Sequence, residues 1–265
     1  MKESNGVNYA ERHQQFENWF QSPLGRALLA DQRQCIDQQV AQMTGARQLH
    51  VGISHRLPVA TNSDFGQHIL TTPRWENDLP DGVAVCDADE LPFPSNSMNL
   101  VILHHSADFS AYPHQVIREG SRVLRGGGQM LIIGFNPVSI WGLRKLLFRH
   151  TNGPWGGRFL FRRRMEDWLS LLDFQVDEAR SHFFRLPVQS AGTIEGPTLI
   201  ERTGACRFIQ IGAYYCILAT KRVCAPIARK PAWHQKNVIA LPATGNLGIS
   251  RGYQRSDKTH GSGHG

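Results

Sequence analysis

The 265-residue chain is long enough for one α/β domain with decorations and too short for two of ordinary size. Hydrophobic residues at 41% and charged residues at 19% exclude a wholly disordered polymer. The net charge of +7 is local: from Lys221 onward eight Lys or Arg stand against one acid, Asp257, while the first 220 residues hold 21 of each sign.

Residues 11–43 predict two helices. Phe16, Trp19 and Phe20, then Leu24, Leu28 and Leu29, then Ile36 and Val40 recur at three-to-four spacing. Ser22-Pro23 divides them as N-cap and first helical residue. Standing ahead of the first strand, this pair suits a lid or flank, assigned to residues 1–44. Short apolar strands follow at 48–53, 68–72, 82–86, 100–104 and 129–134. Between the last two, residues 112–124 carry a helical stripe of Val116, Ile117, Val123 and Leu124, and Gly126-Gly127-Gly128 read as the helix end. Strand, helix and strand form a right-handed βαβ unit and hence a parallel sheet. Helices are expected at 141–148 and 165–172, and strands at 174–177, 181–185 and 208–220. The fold class is therefore α/β, a doubly wound, Rossmann-like, mostly parallel sheet over residues 45–221. Residues 222–265, rich in Pro, Gly, Lys and His, read as a disordered basic tail.

Five cysteines with no CxxC pair point to a reducing compartment, and no segment reaches the roughly 18 apolar residues of a membrane span. A cytoplasmic location without a membrane partner is expected.

The segment CDADELPFPSNSMNLVILHHSADF, followed by REGSRVLRGGGQMLIIGFNP, resembles the middle of a class I S-adenosylmethionine-dependent methyltransferase of the small-molecule (type 11-like) kind. WFQSPLGRALL, GFNPVSIWGLRKLL and DWLSLLDF are similar to a bacterial family of methyltransferase-like proteins with a degenerate glycine loop. The resemblance implies S-adenosyl-L-methionine as cofactor, with the Asp87 carboxylate and Ala88 backbone at the adenine. Class I enzymes carry an acid and a glycine-rich loop after the first strand; here LHVGISHR puts His50 at the acid's place, keeps Gly52 and substitutes Ser54 and Arg56 for later glycines. About 34 residues between Gly52 and Asp87 must hold a helix, the second strand and a connection. The second strand offers Thr71 and Thr72 where a ribose-clamping acid is usual, with Glu76 late. His50, Ser54 and Thr72 are thus candidate substitutes at the cofactor. His104 and His105 end the fourth strand, His104 beside the cofactor and His105 as a candidate general base with Asp108 three residues on. The alternative is that one of these histidines packs against the cofactor and the other satisfies a loop backbone.

Adjacent strand residues point to opposite faces, so His104, His105 and His114 predict no metal site. Asn136-Pro137 follows the fifth strand, unlike the signature of nucleic-acid amino methyltransferases, and reads as pocket lining or a strand-ending turn. Arg144, Lys145, Arg149, Arg158, Arg162, Arg163 and Arg164 are either a solvated face or a surface for an anionic partner. Three functions follow: a methyltransferase acting on a small or medium-sized acceptor, a catalytically inactive binding or regulatory protein of that fold, or a nucleic-acid-associated protein acting through the tail.

Overall fold

In the computed structural model the described residues are 9–60, 62–148, 152–187 and 211–223. Two helices, α1 (Tyr9–Trp19) and α2 (Pro23–Val40), precede the strands β1 (Thr44–Val51), β2 (Asp64–Thr72), β3 (Val83–Val85) and β4 (Met98–His104). A short helix α3 (Ser106–Phe109), α4 (Pro113–Val123), β5 (Leu124–Phe135), α5 (Ile140–Phe148), a 3-10 turn (Gly153–Gly156), α6 (Arg162–Leu171), β6 (Phe174–His182) and β7 (Tyr214–Lys221) complete the chain. The sheet runs β3-β2-β1-β4-β5-β7-β6, parallel from β3 to β5, with β7 antiparallel to both its neighbours. This is the expected doubly wound, mostly parallel architecture.

The core lies on both faces of β4 and β5. Leu100, Ile102, Leu131 and Ile133 pack toward α1 and α2, while Val101, Leu103, Met130 and Ile132 pack toward α4 and α6. Burial on both sides explains why these strands are continuously apolar rather than alternating.

Three expectations change. The glycines 126–128 belong to β5 rather than to a helix end; α4 ends at Val123 with Leu124 as its extended cap, and the β4–β5 register shifts between Met98 and Leu100. The predicted strands at 174–177 and 181–185 are one strand, β6, whose ladder to β7 shifts register between Val176 and Glu178. No helix occurs between β1 and β2 or between β2 and β3 among the described residues. The chain is too short there, and α2 takes over the cover of that face: Ile53, Leu57, Val59 and Ala60 join the core built around Leu28, Ile36 and Val40. The start of the predicted 208–220 strand and nearly all of the basic tail lie outside the described residues.

The α1–α2 corner is set as the sequence indicates. Ser22 Oγ accepts the Gly25 amide at 3.1 Å and Pro23 occupies the first helical turn. Gly25 is needed for close approach: a Cβ there would run into Trp19 O and lie 2.6 Å from Phe20 Cα. Gly25→Ala is expected to cost about 2–3 kcal/mol by overpacking, against about 1 kcal/mol for Ser22→Ala by loss of the cap. Urea unfolding of the two variants checks the order; equal or reversed losses would show that the corner relaxes freely.

Candidate functional site

At the carboxyl edge of the parallel strands, β1 and β4 are neighbours whose chains leave in opposite directions along the sheet, which is the crevice where such folds bind ligands. A cleft of about 700 Å³, open solvent included, sits there. Gly52 and Ile53 after β1, Pro73 after β2, Cys86 to Asp89 after β3, and Ser106 with Phe109 to Ala111 after β4 form its walls. His13 of α1 borders it as well.

Ion pairs tie α1 to this edge. Buried Glu17 receives Arg56 at 3.2 Å and Arg74 at 2.8 Å, and Arg56 reaches Glu76 at 2.5 Å. One carboxylate of α1 thereby fixes the loops after β1 and β2, which have no helix of their own. His13 Nε2 meets the Phe109 carbonyl at 3.3 Å, and as that oxygen only accepts, Nε2 carries the proton. Burial holds the His13 pKa below its ordinary value.

Behind the cleft runs a buried polar chain. Gln32 Oε1 accepts from His104 Nε2 at 3.0 Å, and Gln32 Nε2 donates to His105 Nε2 at 2.8 Å. His105 Nδ1 then donates to Asp108 Oδ2 at 2.8 Å, which also accepts the Phe135 amide at 2.9 Å. The donor and acceptor types fix both tautomers: His104 is protonated on Nε2, His105 on Nδ1. Burial raises the Asp108 pKa against the pull of His105 and of the Phe135 amide.

Residues 45–132 match a family described as a methyltransferase domain. A SAM-dependent methyltransferase of Thermotoga maritima shares the fold with a TM-score of 0.57 and 18% identity, over 81% of this chain and 98% of that one. An Archaeoglobus fulgidus SAM-dependent methyltransferase gives 0.54 and 14%, over 78% and 99%. The chain shares the fold of these SAM-dependent methyltransferases, and its residues 45–132 are similar to the methyltransferase-domain family. The Escherichia coli K12 protein YafS is 37% identical over 153 residues, which are 57% of this chain and 59% of YafS. A Caenorhabditis elegans mitochondrial 2-methoxy-6-polyprenyl-1,4-benzoquinol methylase is 38% identical over 86 residues, 30% of each chain. The chain spans less than two thirds of the length of these curated relatives.

The cofactor these similar proteins imply is S-adenosylmethionine, and the cleft can be tested for fit. Asp87 is exposed at the rim and its carboxylate meets no hydrogen-bonding side chain among the described residues, which leaves an acceptor for a purine amino group. Ser106 Oγ and His13 Nδ1 are buried without a partner among the described residues, and both residues border the cleft. Buried polar atoms seldom go unpaired, so a polar ligand at this place accounts for both. These residues fit a polar ligand of that kind. At the other end the lining departs from the usual pattern: a Cβ on Gly52 would sit 3.1 Å from His50 Nε2, so this glycine makes room for the protein's own imidazole.

Of the residues singled out from sequence, Gly52, Asp87 and Ala88 line the cleft. His50, Ser54, Thr72 and His104 are buried and do not border it; Ser54 Oγ accepts the Arg56 amide at 3.1 Å, and His50 has no partner for either nitrogen. His105, expected as a base, is wholly enclosed, stacked on Phe135 at 4.1 Å, with its Nε2 lone pair taken by Gln32. In this arrangement it reaches no acceptor. Asn136 makes the strand-ending turn, its Oδ1 accepting the Val138 amide at 3.0 Å. His13, Gln32 and Ser106 were missed. A signal existed for two of them: His13 precedes Phe16 and Phe20 on one stripe of α1, and Gln32 interrupts the Leu28–Ile36 stripe of α2.

Burial lowers the His50 pKa to about 4 and that of His104 well below its ordinary value, the latter aided by His105. Both lie under the unfolded value near 6.5, so the unfolded chain binds protons first as pH falls. The stability His50 contributes is whole above pH 6.5 and is lost between there and about pH 4, and His104 acts in the same direction. In urea unfolding, His50→Met should flatten this acid limb by about 1.4 kcal/mol per pH unit at most. Parallel limbs for variant and parent would show that His50 is not held neutral.

Proposed function

We propose that this chain is an S-adenosylmethionine-dependent methyltransferase acting on a small or medium-sized acceptor. The observation that carries the reading is the cleft at the β1–β4 switch point, with a free Asp87 carboxylate at its rim and two orphaned buried polar atoms, Ser106 Oγ and His13 Nδ1, in its wall. Its charge agrees: among the described residues Asp87 and Asp89 line it and no Lys or Arg does, which favours a cationic ligand. When bound, the cofactor supplies an electrophilic methyl group on a sulfonium.

The chain's own part is binding, orientation and exclusion of water. Asp87 takes the adenine amino group, with the Ala88 backbone beside it. Ser106 Oγ and His13 Nδ1 bind polar groups deeper in the cleft, and α1, held by Glu17, covers the site. An in-line displacement of this kind gains most from positioning, so it needs no obligatory base. In this reading Gln32 and Asp108 hold His105, and His105 positions the backbone turn that presents Ser106. The neighbouring His50, Ser54, Thr72 and His104 act from behind the wall, holding Gly52, Pro73 and the end of β4 in place.

A thermal-shift titration tests the binding step directly. At a hundred times its dissociation constant the cofactor should add about 2.7 kcal/mol of native stability, or roughly 5–10 °C for a domain of this size. Asp87→Ala should weaken binding about 10- to 100-fold through loss of a charge-assisted hydrogen bond. Absence of any shift at millimolar cofactor would instead favour the catalytically inactive binding protein.

A further inference from the structure

We propose that the outer face of α5, with the exposed arginines Arg158, Arg163 and Arg164, docks on the surface of an anionic lipid bilayer. Ile140, Leu143, Leu146 and Leu147 are from 43% (Ile140) to 76% (Leu146) exposed. At 3.6 residues per turn they fall within one arc of about 120°. The opposite side of the helix is occupied: Trp141 is buried, Arg144 lies 4.4 Å over the Trp155 ring, and Lys145 lies 4.6 Å over the Phe159 ring. The helix thus turns its cations inward and its aliphatic side chains to water, the reverse of a solvated face. Val138 and Phe161, also exposed, border a shared depression with Arg163.

Charge selects the partner. From Phe135 to Arg164 the sequence holds seven Lys or Arg and no acid. Arg163 is exposed and shares that depression with Val138 and Phe161, and Arg158 and Arg164 are exposed as well. An apolar helix face accompanied by surface cations is the combination that holds a helix in the plane of an anionic interface, apolar side down. Nucleic acid would engage the arginines but offers nothing to four aliphatic side chains, since its single strands bind through aromatic stacking. A second copy on a two-fold axis would bring this cationic segment against itself. No described helix is long and apolar enough to cross a membrane, so the contact is one of surface docking.

Full-length protein is sedimented with vesicles of phosphatidylcholine containing about 30 mol% phosphatidylglycerol, and with phosphatidylcholine alone. Partition is expected on the anionic vesicles, and should fall about tenfold or more in the Leu143→Glu/Leu147→Glu variant. Arg163→Glu should weaken it by roughly tenfold at low salt, and less as salt screens the charge. The substituted positions are exposed, and thermal melting verifies the fold; Arg163→Glu alone serves if the double variant is unstable. Undiminished partition in a folded variant overturns the proposal. So does binding to single-stranded RNA but not to vesicles, or a dimer dispersed by Leu143→Glu/Leu147→Glu that ignores lipid. The assay contains no cofactor, so its outcome is separate from that of the cofactor titration.

Discussion

The side-chain amide of Gln32 is the contact on which the site depends. It is the polar residue on the apolar stripe of α2, and it satisfies two buried imidazoles at once, His104 at 3.0 Å and His105 at 2.8 Å. An orphaned partner would cost about 1–3 kcal/mol, so neither histidine can turn without loss. Because Gln32 holds His105 through Nε2, the ring presents Nδ1–H to Asp108, and Asp108 in turn holds the Phe135 amide. The Asp108 carbonyl also accepts the Arg158 amide at 2.6 Å. The turn after β4, which carries Ser106 and Phe109 into the cleft, is thereby fastened to α2, to β5 and to the segment after the 3-10 turn. His105 itself sits at φ 54°, a backbone state that non-glycine residues rarely hold without such support.

A second constraint follows from chain length. With no helix between β1 and β3 among the described residues, that part of the sheet is covered by α2 from before β1. The chain preceding β1 therefore does two jobs, closing the core and roofing the cleft. Glu17 joins them, since one buried carboxylate pairs with arginines from two loops that no helix stiffens. The ends of a helix after β1 would ordinarily offer amide groups to an anion. Here the loop after Gly52 offers none from a helix, and His13 of α1 comes to the cleft instead.

The strands, α1, α2, α4, α5 and α6 were legible because each carries a strong period or a cap. Ser22-Pro23 and the stripe of Val116, Ile117 and Val123 are sufficient by themselves. The rim at Asp87 and Ala88 was legible because it lies in one continuous segment whose order of residues is distinctive. What sequence could not show is which side of a strand end faces the cleft. His50, His104 and Gly52 are close along the chain or in register, yet only Gly52 borders the cleft, because Gln48 and His50 point with Leu100 and Ile102 toward α2. Likewise His105 looked available as a base until α2 brought Gln32 to its free nitrogen across 73 positions of sequence. Side-chain direction at a strand end depends on the one or two residues that turn the backbone, and those angles are set by tertiary contacts.

Charge is segregated in this molecule, and the segregation bears on the chemistry. The cleft holds Asp87, Asp89 and, behind its wall, two imidazoles kept neutral by burial. A sulfonium placed there would meet carboxylates and uncharged rings, with no buried cation to repel it. No Lys or Arg among the described residues lines it, and Arg56 and Arg74 at the same edge are paired with Glu17 and Glu76. Lys145 is turned to the Phe159 ring and the Gly157 carbonyl, and Arg163 and Arg164 stand on the outer surface around α6. A cationic cofactor and an anionic surface can then be held by the same chain without competing, because Asp87 and Asp89 line the cleft while Arg163 and Arg164 do not. An anionic small-molecule ligand in the cleft would find the wrong sign of charge, and this is the strongest physical reason to read the basic segment as a surface rather than as part of the pocket.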